Sequence, residues 1–277
     1  MYKKRMMLMA LQMIRQFRDP YYQGFAAQMA FYFILSIVPI MIVLSQILGI
    51  VSISLNVLDD LVTQYVSEDV AELLENFLTY VPTGKMNAAF VIVALWSASK
   101  AQIAMMRMAN YTMTEGQSTG KGFFRDRLRA LRTITFTLFT VAFALVILVY
   151  GELVFKLLVS TVINSPSAEY EIHRVWLNLR WPVSLALYFF MVSYNYYALS
   201  YVKVKFKEVM PGSIFASVGM LVVTFFYSVY TKYVGNFDII YGSLASSVAL
   251  MFWFFFLAWT LGLGVMFNKV FADTKVI

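Results

Sequence analysis

The sequence predicts an all-α polytopic membrane protein: six transmembrane helices, an N-terminal interfacial helix, and outer amphipathic helices between the first two spans. Three observations carry this. Hydrophobic residues make up 61% of the chain and charged residues 13%, against about 45–50% and about 25% in soluble domains. Six apolar stretches approach or exceed the ~20 residues that a spanning helix needs. The cations gather in alternate loops, as the positive-inside rule requires. At 277 residues the chain suits one membrane domain over residues 20–277, preceded by a short helix over 1–19. Cysteine is absent, which excludes disulfides, thiolate metal sites and a cysteine nucleophile.

Residues 1–19 open with Lys3-Lys4-Arg5 and a methionine-rich run. Arg15 and Arg18 interrupt the run and no small-x-small cleavage site follows, so it reads as an amphipathic helix on the cytoplasmic leaflet, not a signal peptide. The first span is expected from about Phe25 to Ile50, kinked at Pro39, with Ser36 helping to satisfy the freed backbone. Over residues 55–81, Leu58, Leu61, Val62 and Tyr65, then Val70, Leu73, Leu74 and Phe77, recur at helical spacing opposite a set of acids. These are two short amphipathic helices outside the bilayer core.

The second span is expected from about Met86 to Met108, followed by a loop, Thr114–Arg132, with a basic run. The third runs from about Thr133 to Leu158 and leads to a loop holding Glu169, Glu171, His173 and Arg174. The fourth runs from about Trp181 to Tyr201, the fifth from Pro211-Gly212 to about Tyr230, and the sixth from about Ser243 to Asn268. Gly212, Ala216 and Gly219 form a small-residue stripe for close packing of the fifth span.

One set of loops holds Lys3, Lys4, Arg5, Arg15, Arg18, the basic residues from Arg107 to Arg132, Lys203, Lys205, Lys207, Lys269 and Lys275. The other holds Lys85, Lys156, Arg174, Arg180 and Lys232, with most of the acids. This asymmetry, which also accounts for the net charge of +7, puts both termini in the cytoplasm.

The stretch with most chemistry is Trp96-Ser97-Ala98-Ser99-Lys100 running to Arg107 and Asn110. Lys100 and Arg107 lie seven residues apart, on nearly one helical face. Charge in a spanning helix usually faces protein or a water-filled cavity. Gln28, Ser97, Asn110, Asn195 and Asn268 are candidates to line a positive, cytoplasm-facing cavity with them, suited to an anionic headgroup. The competing reading has Lys100 snorkelling to the interface and the amides bonding between helices. Glu152 and Lys156, at i, i+4, are either a structural ion pair or a proton-coupling site. Asp238, Tyr241 and Gly242 belong to an outward turn that is either a gate or a tight turn with a helix cap. Pro39, Pro211 and Gly212 are candidate hinges.

Other chemistry has little support in the residues. The single histidine, His173, and scattered cytoplasmic acids do not make the ligand cluster of a metal-dependent phosphodiesterase. No glycine-rich phosphate loop ending in Gly-Lys-Ser/Thr occurs, so transport energy would come from a gradient or a partner. The basic run at 121–132 has no accompanying RNA-binding module, and its position favours anionic lipid headgroups. No cofactor, catalytic residue, metal or nucleic-acid partner is expected. Expected partners are membrane lipids, including an anionic lipid or lipid-linked substrate, with a homo-oligomer or an envelope protein left open.

Taken in order, Ala26-Ala27-Gln28-Met29-Ala30-Phe31, Ser36 and Pro39, Leu95-Trp96-Ser97-Ala98-Ser99, Asn110, Arg125 and Arg129, Pro211-Gly212, Tyr233, Tyr241-Gly242-Ser243 and Trp253 resemble the YihY/virulence factor BrkB family of bacterial inner-membrane proteins. The resemblance covers nearly the whole chain. It implies a multi-pass protein of the bacterial cytoplasmic (inner) membrane. Members have carried the label ribonuclease BN, and a transporter or lipid-translocating role is suspected for them. Two functions follow as expectations: a transporter or flippase-like protein for an anionic amphiphilic envelope substrate, or a non-transporting scaffold for envelope assembly.

Overall fold

The computed structural model describes residues 2–50, 85–160, 168–233 and 244–274, and all the regular structure among them is helical. The helices are α1 (Tyr2–Phe17), α2 (Pro20–Ile50), α3 (Lys85–Met113), α4 (Phe123–Ser160), α5 (Ala168–Leu199), α6 (Phe206–Tyr233) and α7 (Leu244–Asp273). The amphipathic stretch 55–81 and the turn holding Asp238, Tyr241 and Gly242 lie outside the described residues. Among the described residues two segments, Phe206–Tyr230 and Val248–Asp273, are long and apolar enough to cross a bilayer.

From α2 to α7 each helix packs on its neighbours in the chain, and α7 returns to α2, closing a six-membered ring. Bonds between the ends of neighbouring helices, Tyr22 to Thr112, Arg129 to Leu199 and Gly212 to Asn268, set consecutive helices antiparallel. The start of α2, the end of α3, the start of α4, the end of α5, the start of α6 and the end of α7 therefore share one layer. The main core fills this half of the ring with Ala26, Met29, Ala104, Met106, Leu199 and Met266, all fully buried. Small and flexible side chains let the helices approach closely here.

The α6–α7 seam bears out the small-residue stripe. A Cβ at Gly212 would overlap the Gly264 carbonyl oxygen, and one at Gly219 would press on the Thr260 methyl. Pro211 lies inside α6 and Pro39 inside α2, and both helices run on past them. At Gly212 the N–H donates to Asn268 Oδ1 at 2.6 Å, so a side chain of α7 completes the backbone of α6. Ser36 does not serve Pro39 as expected. Its hydroxyl donates to the Tyr32 carbonyl, whereas the carbonyl that Pro39 leaves without a donor is that of Leu35.

Two boundaries differ from the sequence expectation. The run 123–132 is helix, not loop: α4 begins ten residues before Thr133, leaving a connection of only 114–122. The Asp126 carboxylate turns back to accept the N–H groups of Lys121 and Gly122 at the entry to α4, anchoring the start that the charge density had hidden. Likewise α5 begins at Ala168, so Glu169, Glu171, His173 and Arg174 are helical. Ile172, Trp176 and Leu179 supply the helical spacing there, Trp176 is buried, and Pro182 does not end the helix. Charge marks where a helix leaves hydrocarbon, not where it stops. The N-terminal helix α1 also has a place in the packing. It docks on α7, with the Arg5 guanidinium 4.9 Å from the Phe271 ring and Phe17 4.8 Å from Trp259. Met6, Met7, Leu11 and Ile14 remain exposed on its other side.

Candidate functional site

Because α4 starts early, Arg125, Arg129 and Arg132 fall at i, i+4 and i+7 of one helix and share a face. They line a groove of about 820 Å³ between α3 and α4. Its apolar wall is Ile92, Leu95 and Trp96 from α3 and Leu128 and Leu131 from α4. Arg125 and Arg132 are exposed and Arg129 is half-buried. Arg129 reaches the Leu199 carbonyl at 3.5 Å, the long limit of a hydrogen bond. The two ion pairs among the described residues both belong to Lys269. Among the described residues the groove arginines therefore have no carboxylate partner, and the nearby Asp126 is engaged at the helix entry.

Arg127 faces the other way. It is buried, its guanidinium stacks 3.6 Å over the Trp96 ring, and Nη2 donates to the Trp96 carbonyl. Burial pulls its pKa down, but a guanidinium starts so high that it stays charged. Desolvated cation–π pairs are worth about 2 kcal/mol. Arg127 thus fixes Trp96, which stays 46% exposed towards the groove.

On α3, Lys100 follows Trp96 by one turn and Arg107 by three, and both are exposed. The cationic stripe of α3 thus continues from the groove towards the layer of helix ends. That layer is tied shut. Tyr22 donates to Thr112 at 3.0 Å, and Tyr111 donates to Asp19 at 2.9 Å. Burial, then the Asp19 carboxylate, pushes the Tyr111 phenol up to about 12, keeping it a donor. Asn110 accepts from the Tyr201 N–H at 2.8 Å and donates to the Thr119 carbonyl at 3.3 Å. The α3 helix ends in left-handed Glu115 and Gly116, and Glu115 pairs with Lys269 at 2.9 Å.

The family profile described as Virulence factor BrkB matches residues 13–276. The chain belongs to the BrkB family. A ribonuclease-like protein, YfkH, of Bacillus subtilis (strain 168) is 28% identical over 239 residues, covering 84% of each chain. No solved structure matches. Membership makes this a membrane protein.

In this BrkB-family chain the sequence candidates occupy separate places. Lys100 and Arg107 share an exposed face of α3, with Ser97 half-buried nearby. Asn110 clasps loops. Asn195 donates to Thr137 at 3.0 Å and to the Met191 carbonyl at 2.9 Å, joining α5 to α4. Asn268 serves Gly212. Gln28, half-buried, lines a surface hollow with Tyr21, Gly24 and Phe25. Each of the three asparagines bonds within the protein, Asn268 through its Oδ1 alone among the described residues, and they do not join Lys100 and Arg107 around one cavity. Glu152 and Lys156 fall within α4 at their i, i+4 spacing. Among the described residues no three His, Cys, Asp or Glu stand together as metal ligands.

By charge alone residues 121–132 read as a basic loop, which hides the arginine face. Its signal was present in the 125, 129, 132 spacing, interleaved with Leu128 and Leu131.

Proposed function

We propose that this BrkB-family protein is a six-span protein of the bacterial inner membrane, with both termini cytoplasmic, that binds and translocates an anionic amphiphilic envelope substrate. The observation carrying this reading is the cationic flank formed by Lys100 and Arg107 on α3 and by Arg125, Arg129 and Arg132 on α4, beside an apolar wall and without carboxylate partners among the described residues. Cations without partners at a membrane surface attract anionic headgroups, and arginine binds phosphate oxygens in a fork. Ring closure by six long antiparallel helices, with the cations at one set of ends, supports the topology. Lys100 and Arg107 contact the headgroup on this reading. Pro211 and Gly212 serve as a bend held by Asn268.

A scaffold that organises envelope assembly is the second reading, and the close-packed core between the helix ends favours it. A ribonuclease function, suggested by the name of the Bacillus relative, stands last, because one histidine and scattered cytoplasmic acids offer no phosphodiesterase site.

The test is translocation in vesicles reconstituted with the full chain and carrying acyl-labelled fluorescent phosphatidylglycerol, read by chemical quenching from outside. Wild type exchanges the lipid faster than empty vesicles, and Lys100→Ala/Arg107→Ala slows exchange by about tenfold, the scale of one or two lost charge-assisted bonds. Wild-type vesicles that exchange no faster than empty ones leave the scaffold reading in place.

A further inference from the structure

We propose that the α3–α4 groove is a lateral binding site for one phosphate-bearing lipid of the cytoplasmic leaflet. Arg129, with Arg125 or Arg132, grips the phosphate, and Trp96, Leu128 and Leu131 hold the start of the chain. This rests on the reading of the protein as one that handles an anionic amphiphile. It names the chemistry of the ligand and its way in, from the flank and not along the axis of the bundle.

The polarity of the groove has a direction. Arg125 is two residues into α4, close to the layer of helix ends, whereas Ile92 and Leu95 lie further along α3 from that layer. A lipid lying here has its phosphate at the layer of helix ends and its chain pointing into the bilayer. Arg125 to Arg132 spans about 10 Å along the helix, so any one phosphate meets two neighbouring guanidiniums. The groove's volume, about 820 Å³, lies within the range of small-molecule sites, about 300–1,000 Å³.

The charge and the exposure argue for lipid over a soluble anion. No acidic side chain is among the residues lining the groove. Phe124 is 85% exposed and Leu128 71%, so the arginines are interleaved with large apolar groups that a membrane would cover. The alternative route along the axis is closed where Ala26, Met106, Leu199 and Met266 meet. Arg127 is a positioning residue, holding the Trp96 ring from behind.

The experiment is native mass spectrometry of the full chain, released from detergent after titration with phosphatidylglycerol or phosphatidylcholine. The variants are Arg125→Gln/Arg132→Gln and, as a control for general surface charge, Lys203→Gln/Lys207→Gln. All four side chains are exposed, so folding is spared. Wild type and the lysine control retain phosphatidylglycerol over phosphatidylcholine, the arginine variant loses at least about tenfold of that preference, and inorganic phosphate does not displace the lipid. The inference is overturned if the arginine variant retains the lipid as wild type does, or if the lysine control loses as much. Displacement by inorganic phosphate with no effect of Leu128→Asn would also overturn it, as a soluble-anion site. Binding here needs no transport. Site-specific retention by a chain that exchanges no lipid upholds the groove and sinks translocation; exchange that survives in the arginine variant, with no preference lost, does the reverse.

Discussion

The two flanks of the ring use polar chemistry in opposite ways. At the α6–α7 seam the polar groups are buried and turned inward: Asn268 accepts from Gly212, Tyr196 of the adjoining α5 donates to the Leu261 carbonyl at 2.7 Å, and glycines let the backbones touch. At the α3–α4 flank Lys100, Arg107, Arg125 and Arg132 are exposed and Arg129 is half-buried, none with an acid partner among the described residues, and only Arg127 is buried, bonded to Trp96. A buried N–H without an acceptor costs about 1–3 kcal/mol, so the Gly212 N–H explains Asn268 through the fold. The groove arginines gain nothing comparable from the fold. What they do must involve something outside it.

Substitutions sharpen this contrast. The largest loss is expected at Gly212→Ala, where the new methyl meets the Gly264 carbonyl, a backbone atom that cannot rotate away. Overpacking of this kind costs about 3 kcal/mol, read as a fall in the melting midpoint of the detergent-solubilised protein. Asn268→Leu leaves the Gly212 N–H without its acceptor, and the same assay should register about 2 kcal/mol. Arg127→Ala removes the cation over Trp96 and should cost about 1–2 kcal/mol while leaving Arg125 and Arg132 in place. Against these, Arg125→Gln/Arg132→Gln should stay within about 0.5 kcal/mol of wild type. A groove variant that melts as early as Asn268→Leu would erase the distinction between the flanks.

The smallest effect concerns pH. The hydrogen bond and charge of Lys269 hold the Glu115 carboxyl below its usual range. A depressed carboxyl pKa contributes stability above the unfolded value, near 4.5, that is lost as pH falls through the folded value. Wild type should lose slightly more stability than Lys269→Met on acidification below about pH 5. Parallel melting curves across that range would show that the pair contributes nothing, as exposed pairs often do.

Much of the fold was legible because it follows from hydropathy and spacing. The six long helices and the Gly212–Ala216–Gly219 stripe are examples. The helix ends were less legible, since Arg125–Arg132 and Glu169–Arg174 carry charge, which suggests loops, on backbone that remains helical. The site was legible in kind but not in place. Lys100 and Arg107 sit on one exposed face, as their spacing requires. The destinations of Asn110, Asn195 and Asn268 depend on which helix lies opposite, and no local pattern encodes that. Arg127 shows the same limit: it lies two residues from both Arg125 and Arg129, yet faces the interior because Trp96, 31 positions away, offers a ring and a carbonyl.

The central claim is that anionic lipid gathers at the α3–α4 flank and not elsewhere on the ring. A photoreactive residue at Leu128, within the groove, and another at Phe225, an exposed position on α6, would test it in vesicles holding tagged phosphatidylglycerol and phosphatidylcholine. The account predicts several-fold enrichment of phosphatidylglycerol in the Leu128 adducts, on the scale of a charge-assisted contact, and bulk proportions at Phe225. Equal proportions at both positions would contradict it.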